Sequence, residues 1–320
     1  MKILVTGGSG FIGSHLCENL VNQGHVVTCL DDYSTSSEKN LKSLQTSPYF
    51  QTVKGSILDK ELVRTLVRKS EVCFHLAAAV GVQKILLDPI NSIKTNIHGS
   101  ENVIEACVDY ESELILASTS EIYGKNPIQP LSEESDRVIG SPLLSRWTYS
   151  DAKAIDESLT HAYHLHRGLR AKIVRLFNTV GPRQSPAYGM VIPKFFQAAM
   201  NNVPIEIHGD GSQRRVFCHV EDAINGMLAI WSTNGQFGEA FNVGGFEEIS
   251  ILELARKIQF LTKSESKIKY IPYTELKKNG FEDMSRRIPC TEKLQNLTGW
   301  KALKSLDEIL EDYYLYLRSQ

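Results

Sequence analysis

Short apolar runs alternate with amphipathic stretches along the first half of the chain. Strand-like apolar runs lie at Lys2–Thr6, Val26–Leu30, Phe50–Val53, Val72–Leu76, Leu114–Ser118 and Ala171–Phe177. Apolar residues at helical spacing lie between them, at Phe11–Asn22, Asp59–Arg68, Asp88–Asp109 and Tyr149–Arg167. Strands that alternate with helices need crossover connections, so we predict a Rossmann-type α/β fold with a doubly wound parallel sheet.

The pattern changes near residue 180. Residues 124–145 hold three prolines and an acidic cluster, which predicts a long loop. After Gly181-Pro182 the elements become shorter and the loops gain Pro, Gly and basic residues. We therefore predict a dinucleotide-binding domain at 1–180, which includes the helix 149–167, and a smaller C-terminal α/β substrate domain at 181–320.

Composition and charge narrow the possible partners. Of the 320 residues, 42% are hydrophobic and 22% charged, which is typical of a globular protein. The 35 basic residues nearly balance the 37 acidic ones, and a net charge of -2 provides no field to hold nucleic acid or an anionic membrane. The chain has no apolar run near the ~20 residues of a membrane span and no signal-like N-terminus. We expect a cytoplasmic protein whose phosphate site, if present, is local.

Metal chemistry and disulfides are not expected. The six cysteines are too widely spaced for a CxxC motif, so we expect buried, reduced thiols. His161, His164 and His166 lie along one predicted helix without a partner carboxylate triad, and we interpret them as part of a helix face.

A glycine-rich turn provides the strongest chemical motif. Gly7, Gly10 and Gly13 follow a predicted strand and begin a predicted helix, which is the arrangement that binds a pyrophosphate at a helix N-terminus. Asp31 ends the second strand, where a carboxylate accepts from ribose hydroxyls. No basic residue follows before Lys39. These features predict NAD rather than NADP.

A tyrosine and a lysine are spaced for proton transfer. Tyr149 and Lys153 share a helix face at i and i+4, so the ammonium can lie near the phenol. A nearby cation lowers the pKa of a phenol, and we therefore predict that Tyr149 is a base assisted by Lys153.

Polar residues also end the fifth strand. Thr119, Ser120 and Glu121 lie where ligands of open parallel sheets bind, so hydroxyls and a carboxylate are available for a sugar. Basic residues that could bind a substrate diphosphate, together with Asn178, are Arg183, Arg214-Arg215 and Arg286-Arg287.

These motifs resemble the extended short-chain dehydrogenase/reductase family that modifies nucleotide sugars. The matching segments are GGSGFIG at 7–13, Asp31, HLAA at 75–78, STSE-IYG at 118–124, YxxxK at 149–153, Arg175–Asn178 and Gly181-Pro182. The resemblance spans nearly the whole chain. It implies an NAD-binding Rossmann domain, a C-terminal nucleotide-sugar domain and a homodimer.

The resemblance also implies the contacts of the cofactor and of the dimer. Besides the glycines, Asp31, Tyr149 and Lys153, the cofactor residues are Phe11, Ile12, Asp32, Ser56, Ile57, Leu76, Ala77, Ala78 and Asn96. Ser56 stands where family members commonly carry an acid. The dimer would form from the two long helices 88–109 and 149–167, which carry extra apolar residues at Ile93, Ile97 and Val108.

Three outcomes are open to such an enzyme. Tyr149 would take the O4 proton while Thr119 holds that hydroxyl, and hydride transfer to NAD⁺ would leave a 4-keto sugar. A carboxylate at C6 would then be lost as CO₂, a hydroxymethyl group would permit loss of water, and otherwise the ketone could be reduced on its other face. A non-catalytic dinucleotide sensor is a further alternative, but it would need neither Tyr149 nor Lys153.

Two segments and one glutamate favour the first outcome. Residues 145–150 and 280–289 are similar to the corresponding segments of a decarboxylase, and Glu121 is typical of decarboxylases and of some 4,6-dehydratases. We expect an enzyme similar to UDP-glucuronate decarboxylases, with 4,6-dehydratase and 4-epimerase as alternatives. The resemblance implies that Glu121 orients the sugar or relays a proton and that Arg287 protonates C5.

Overall fold

The computed structural model describes residues 1–80, 88–277 and 282–320. The strands are β1 (Lys2–Thr6), β2 (Val26–Asp31), β3 (Phe50–Lys54), β4 (Val72–His75), β5 (Glu113–Thr119), β6 (Ala171–Leu176), β7 (Thr179–Val180), β8 (Ile205–His208), β9 (Arg214–Val216), β10 (Cys218–His219), β11 (Ala240–Val243), β12 (Glu248–Ser250), β13 (Ile268–Ile271) and β14 (Arg286–Arg287). The helices are α1 (Phe11–Asn22), α2 (Lys60–Val67), α3 (Pro89–Lys94), α4 (Ser100–Asp109), α5 (Thr148–Arg167), α6 (Val191–Met200), α7 (Val220–Trp231), α8 (Ile251–Thr262), α9 (Tyr273–Lys277), α10 (Glu292–Thr298) and α11 (Leu306–Arg318).

A seven-stranded parallel sheet forms the centre of the molecule. Its strand order is β11-β6-β5-β4-β1-β2-β3, so the chain winds outward from β1 in both directions. The predicted doubly wound Rossmann-type fold is confirmed. In such sheets the crevice at the carboxyl ends of the strands is the place where ligands bind.

The alternation of side chains along β1 explains why helices cover both faces. Ile3 and Val5 pack in one buried cluster with residues of α1 and α7, whereas Leu4 packs in another with residues of α2 and α4. Because both faces of the strand are apolar, neither can face water, and the sheet is covered on both sides.

The predicted helix 88–109 is divided by a π-helical turn. The α-helical segments α3 and α4 flank the turn Thr95–Gly99. Within it, Asn96 accepts from Ala79 N at 2.6 Å and donates to Ala79 O at 3.2 Å. The wider turn places Asn96 against the segment after β4, a tertiary contact that helical spacing alone does not reveal.

The later part of the chain builds a second core. Apolar residues of α6, α8 and α11 pack together, beside the small sheets β13-β8 and β12-β9-β14. However, α7 and β11 pack with the large sheet and β11 is its edge strand. The segment after residue 180 thus also adds a strand and a covering helix to the large sheet. The division at 180 stays a prediction.

Pairing of β14 with β9 connects distant arginines. The register places Arg287 opposite Arg215 and Arg286 opposite Arg214. Arg286 and Arg214 both bind Glu248 near the surface, whereas Arg287 and Arg215 are buried. One cross-strand pair, Arg215 with Arg287, is therefore held inside the protein, and the other lies near the surface.

No helix within 1–80, 88–277 and 282–320 is long and apolar enough to cross a membrane. The same residues contain no group of three His, Cys, Asp or Glu side chains that could hold a metal ion. All six cysteines are free thiols, and Cys290 alone among them is not fully buried.

A buried ion pair fixes α5 against the sheet. Arg175 on β6 donates to both carboxylate oxygens of Glu157 on α5, the shortest contact being Nη2 to Oε2 at 2.7 Å. Ser118 on β5 also donates to this carboxylate. The pair thus connects the helix that carries Tyr149 to two adjacent strands.

Glu157→Gln should lower the free energy of unfolding by about 3 kcal/mol, because it leaves the Arg175 charge buried without a counter-charge. Urea unfolding measures the loss. The matched control is Asp151→Asn on the same helix, whose pair with Arg137 is solvent-exposed and should contribute less than about 1 kcal/mol. Equal effects of the two substitutions would show that burial of the Glu157 pair is unimportant.

Candidate active site

The glycine-rich turn is too tight for any side chain at two positions. Gly7 has a φ of +70°, and a Cβ there would lie 2.7 Å from Ala77 N. A Cβ on Gly13 would lie 2.2 Å from Gly7 O. The turn therefore packs directly between β1, α1 and the segment after β4, and it brings the N-terminus of α1, with Phe11 and Ile12 in its first turn, to the carboxyl edge of the sheet.

Asp31 fixes the neighbouring loop. This carboxylate, which is buried at the end of β2, accepts from Ser9 N and Tyr33 N at 2.9 Å and from Ser36 Oγ at 2.8 Å. Asp32 is exposed and accepts from Ser34 N at 2.8 Å. A carboxylate on a short side chain thus lies beside the glycine turn, at the place where this fold binds a ribose hydroxyl of a dinucleotide.

The other predicted cofactor residues lie at the same edge of the sheet. Leu76, Ala77 and Ala78 follow β4, and Ala77 N donates to Thr6 Oγ1 at the end of β1 at 3.3 Å. Ser56 and Ile57 follow β3, where Ser56 Oγ accepts from Leu58 N. Asn96 on the π-helical turn is bound to Ala79, in the segment that follows β4.

The end of β5 brings Thr119, Ser120 and Glu121 to the start of α5, the helix that carries Tyr149. Thr119 Oγ1 accepts from Glu121 N at 3.1 Å, and Ser120 is buried. Ser150 Oγ, one residue after Tyr149, donates to Glu121 O at 2.8 Å. This bond holds the start of α5 against the turn after β5, so the proposed base and the predicted sugar-binding residues belong to one rigid unit.

Glu121 is an ionised carboxylate held by two arginines. Arg287 donates to its Oε1, and Arg146 Nη2 lies 2.6 Å from its Oε2. Burial alone would raise the pKa of Glu121, but the charges of Arg146 and Arg287 outweigh it and lower the pKa to about 2. At neutral pH the carboxylate carries no proton to relay, and the three side chains together carry one net positive charge.

Arg287 has a buried N–H group without a partner. Its Nη2 donates to Asn178 Oδ1 at 2.6 Å, and Asn178 is fixed in turn by donating to Val216 O at 2.7 Å. Arg287 Nε is buried and has no hydrogen-bond partner among the described residues. A buried donor without a partner is costly, so a polar atom of a substrate would stabilise it.

The remaining predicted arginines are engaged elsewhere. Arg215 donates to Asp283 Oδ1 at 2.7 Å, and this pair is buried close to Arg287. Arg183, with φ at +71°, donates from Nη2 to both carboxylate oxygens of Glu18 on α1 at 2.8 Å. Arg183 thus connects the segment after β7 to the glycine-turn helix, and its buried Nη1 lacks a partner among the described residues.

Tyr149 is a neutral phenol in this structure. Burial raises its pKa well above the ordinary value, and the carboxylates of Glu121 and Asp156 raise it further. The sequence-based expectation that Lys153 lowers this pKa is not met, because Lys153 donates to Asp156 at 2.8 Å and its charge is partly neutralised there.

Sequence reasoning missed two residues of this site. Arg146 precedes Tyr149 by three residues, and Asp156 follows Lys153 by three. The spacing of Asp156 to Lys153 is a usable signal, since i and i+3 share a helix face. Arg146 lies in the 3₁₀ turn Ser145–Trp147, and only its long-range contact reveals its importance. Residues 280 and 281 of the similar late segment lie outside the described residues.

The fold and these residues define a dinucleotide-dependent enzyme of the Rossmann class, with a tyrosine and a charged cluster at the reacting end. The chain belongs to the NAD dependent epimerase/dehydratase family, whose model matches residues 3–244. The predictions of the family, of NAD as the cofactor and of an enzyme are confirmed.

Relatives extend the match to the whole chain. The chain is 38% identical over 318 residues to UDP-N-acetyl-alpha-D-glucosaminuronate decarboxylase of Bacillus cytotoxicus, a match that covers 99% of this chain and 98% of that one. It is 31% identical over 319 residues to UDP-glucuronic acid decarboxylase 1 of Xenopus tropicalis, with 100% of this chain and 72% of that one covered.

A solved structure shares the fold throughout. UDP-glucuronic acid 4-epimerase from Bacillus cereus, in complex with UDP-glucuronic acid and NAD, superimposes with a TM-score of 0.90 at 29% identity, covering 100% of this chain and 99% of that one. The fold alone therefore does not separate decarboxylation from epimerisation.

Asp31→Ala should weaken NAD binding by about fivefold to hundredfold, because it removes a charged acceptor worth roughly 1–3 kcal/mol. Calorimetry on the purified protein measures the dissociation constant. Glu38→Ala, an exposed carboxylate beyond this loop, is the control and should leave the constant unchanged. A wild-type protein that binds NADP more tightly than NAD would contradict the assignment of Asp31.

Proposed function

We propose that the protein is an NAD-dependent decarboxylase of a UDP-linked hexuronate. The observation that carries this proposal is the Glu121 cluster, whose two arginines and one carboxylate leave a net positive charge in a buried site. A hexuronate has its carboxylate at C6, which is bonded to C5 and lies close to C4, and these are the carbons at which the proposed reaction occurs. An anion of that kind supplies the charge that the cluster lacks.

The names of the relatives favour a UDP-linked uronic acid as the substrate. Both the 38% and the 31% identical relatives are named decarboxylases of UDP-linked uronic acids. The higher identity belongs to the one named for the 2-acetamido sugar. We therefore propose UDP-N-acetylglucosaminuronate as the better substrate and UDP-glucuronate, the substrate suggested by the sequence resemblance, as the second.

Each residue has a distinct part in the proposed reaction. Bound NAD⁺ would accept the hydride from C4 and would return it to C4 after CO₂ has left, so that the net change in the sugar is the loss of CO₂. Tyr149 accepts the proton from O4, Thr119 holds that hydroxyl, and Lys153 lies one helical turn from the phenol. The resulting ketone is β to the C6 carboxylate, so the electrons of the C5–C6 bond pass into the enolate as CO₂ leaves.

The arginines stabilise the charge that moves. Arg146 and Arg287 attract the C6 carboxylate before it is lost, and Arg287 then faces the enolate. Its Nε–H is one of the donors left for the sugar, and Arg287 supplies the proton that replaces CO₂ at C5 and regains one from water. Glu121 keeps both guanidinium groups in place, a positioning role in which its carboxylate stays ionised.

We further propose a homodimer in the cytoplasm. The helices α3 and α5 expose apolar side chains, with Ile90 at 65%, Ile93 at 40% and Leu165 at 63% exposure, and burial in a partner would remove them from water. Ile97 and Val108 are partly buried within the chain. Six free thiols suit a reducing compartment. Sedimentation at micromolar concentration tests the dimer.

The test of the activity is mass spectrometry of the products from UDP-N-acetylglucosaminuronate, UDP-glucuronate and UDP-glucose with NAD. We expect loss of one CO₂ from the two uronates and no change in UDP-glucose. Tyr149→Phe should lower the turnover by about 10²–10⁴ while sugar binding is retained.

Other products would contradict the proposal. Loss of one water from UDP-glucose indicates a 4,6-dehydratase. An isomer of unchanged mass indicates a 4-epimerase. Bound NAD without conversion of any sugar indicates a non-catalytic sensor.

A further inference from the structure

Lys153 is bound inside the protein by a carboxylate. Its Nζ lies 2.8 Å from Asp156 Oδ2, and the two side chains are only 2% and 1% exposed. Because the pair is shielded from water, neither charge is screened as a surface pair would be. The ammonium that lies one turn from Tyr149 is therefore partly neutralised by a residue three positions further along α5.

Side chains from other elements support Asp156. Ser100 on α4 donates from Oγ to Asp156 Oδ2 at 3.0 Å. His75 at the end of β4 contacts Ser100 Oγ through Nε2 at 3.0 Å, and its Nδ1 lies 2.7 Å from Thr6 Oγ1 on β1. These residues are all buried, so a continuous hydrogen-bonded chain connects β1 with the catalytic helix.

The chain has one direction. Burial and the charge of Lys153 lower the pKa of His75 to about 3, so the ring is neutral and has a single N–H. Ser100 uses its one proton on Asp156, and His75 must therefore donate from Nε2 and accept at Nδ1 from Thr6. The backbone N–H of Ala77 donates to Thr6 in turn. Every proton in the chain points toward Asp156.

We propose that Asp156 is a positioning residue for the reaction, which fixes the Lys153 ammonium on α5 and offsets its attraction for the phenolic oxygen of Tyr149. The proposal rests on the proposed function in that Tyr149 is taken as the base. It differs from the usual view of a tyrosine–lysine pair, because the lysine here carries its own buried counter-charge.

The other charged groups near Tyr149, or near the pair of Lys153 with Asp156, are already paired. Glu121, from the turn after β5, is held by Arg146 and Arg287. Glu157 on α5 is held by Arg175. His75 from β4 is neutral and Ser100 from α4 carries no charge. Loss of the Asp156 charge should thus leave Lys153 as an uncompensated cation beside the phenol.

The second oxygen of Asp156 supports a specific role for its charge. Asp156 Oδ1 is buried and has no hydrogen-bond partner among the described residues. A carboxylate that only connected helices would gain from a partner at both oxygens. Asp156→Asn keeps the shape and a hydrogen-bond acceptor for Lys153, and it removes only the charge.

The experiment is the NMR titration of ¹³Cζ-labelled tyrosine in the full-length, NAD-bound protein, with Tyr149→Phe used to identify the Tyr149 resonance. In Asp156→Asn we expect the phenol to ionise about one pH unit or more below the wild type, by Coulomb's law at the effective dielectric constant of a protein. The rising limb of the pH profile of kcat/KM should shift in the same direction.

Two matched variants separate charge from position. Asp156→Glu keeps the charge and should titrate like the wild type. Asp151→Asn removes a carboxylate from the same helix, but its exposed pair with Arg137 lies in water, and no shift is expected. The proposal is overturned if Tyr149 in Asp156→Asn ionises at or above the pH at which it ionises in the wild type. It is also overturned if Asp151→Asn shifts the ionisation of Tyr149 by the same amount.

The titration needs no turnover, so its failure is distinct from an absence of decarboxylase activity. A second measurement covers the case in which Asp156→Asn does not fold. ¹⁵N spectra of the wild-type histidines should show His75 as the neutral Nε2–H tautomer. An Nδ1–H tautomer would reverse the hydrogen-bonded chain and overturn the proposal.

Discussion

The ion pairs of Glu121 with Arg146 and Arg287 determine the charge of the candidate active site beside Tyr149. The two arginines come from segments on either side of α5, and Arg287 lies 166 residues from Glu121 in the sequence. Without them burial would favour a protonated carboxyl group, and with them the pKa is about 2. The ionised carboxylate in turn holds two guanidinium groups close together, which their mutual repulsion would otherwise oppose. The site obtains a local positive charge in a chain whose net charge is -2.

The parallel sheet brings this cluster and the glycine turn to one edge. The strands β1 to β5 end at the same side, so the glycine turn, Asp31 and the HLAA segment lie in one row with Thr119 and Tyr149. The later part of the chain adds Arg287 through the short pairing of β14 with β9. In the proposed enzyme the first part of the chain would bind the dinucleotide, and the later part would supply charge where the sugar reacts.

The sequence predicts the large elements and the local motifs of this site. Apolar periodicity predicts six of the seven strands of the central sheet, all but β11, and the glycine spacing predicts the tight turn, because both depend on nearby residues. The π-helical turn, the Arg146–Glu121 pair and the Lys153–Asp156 pair depend on contacts between packed elements, which periodicity does not encode. The expectation that Lys153 lowers the pKa of Tyr149 failed for this reason, since the counter-charge of Asp156 becomes evident only when the burial of both side chains is known.

The most direct test of the account is whether Arg146 distinguishes a uronate from a neutral sugar. In a Tyr149→Phe background, which slows turnover, calorimetry with NAD present measures the binding of UDP-glucuronate and of UDP-glucose. Arg146→Gln should weaken the binding of UDP-glucuronate at least about tenfold, as expected for a lost charge-assisted contact. It should change the binding of UDP-glucose by less than about threefold. An equal loss for both sugars would contradict the claim that the arginines of the Glu121 cluster bind the C6 carboxylate.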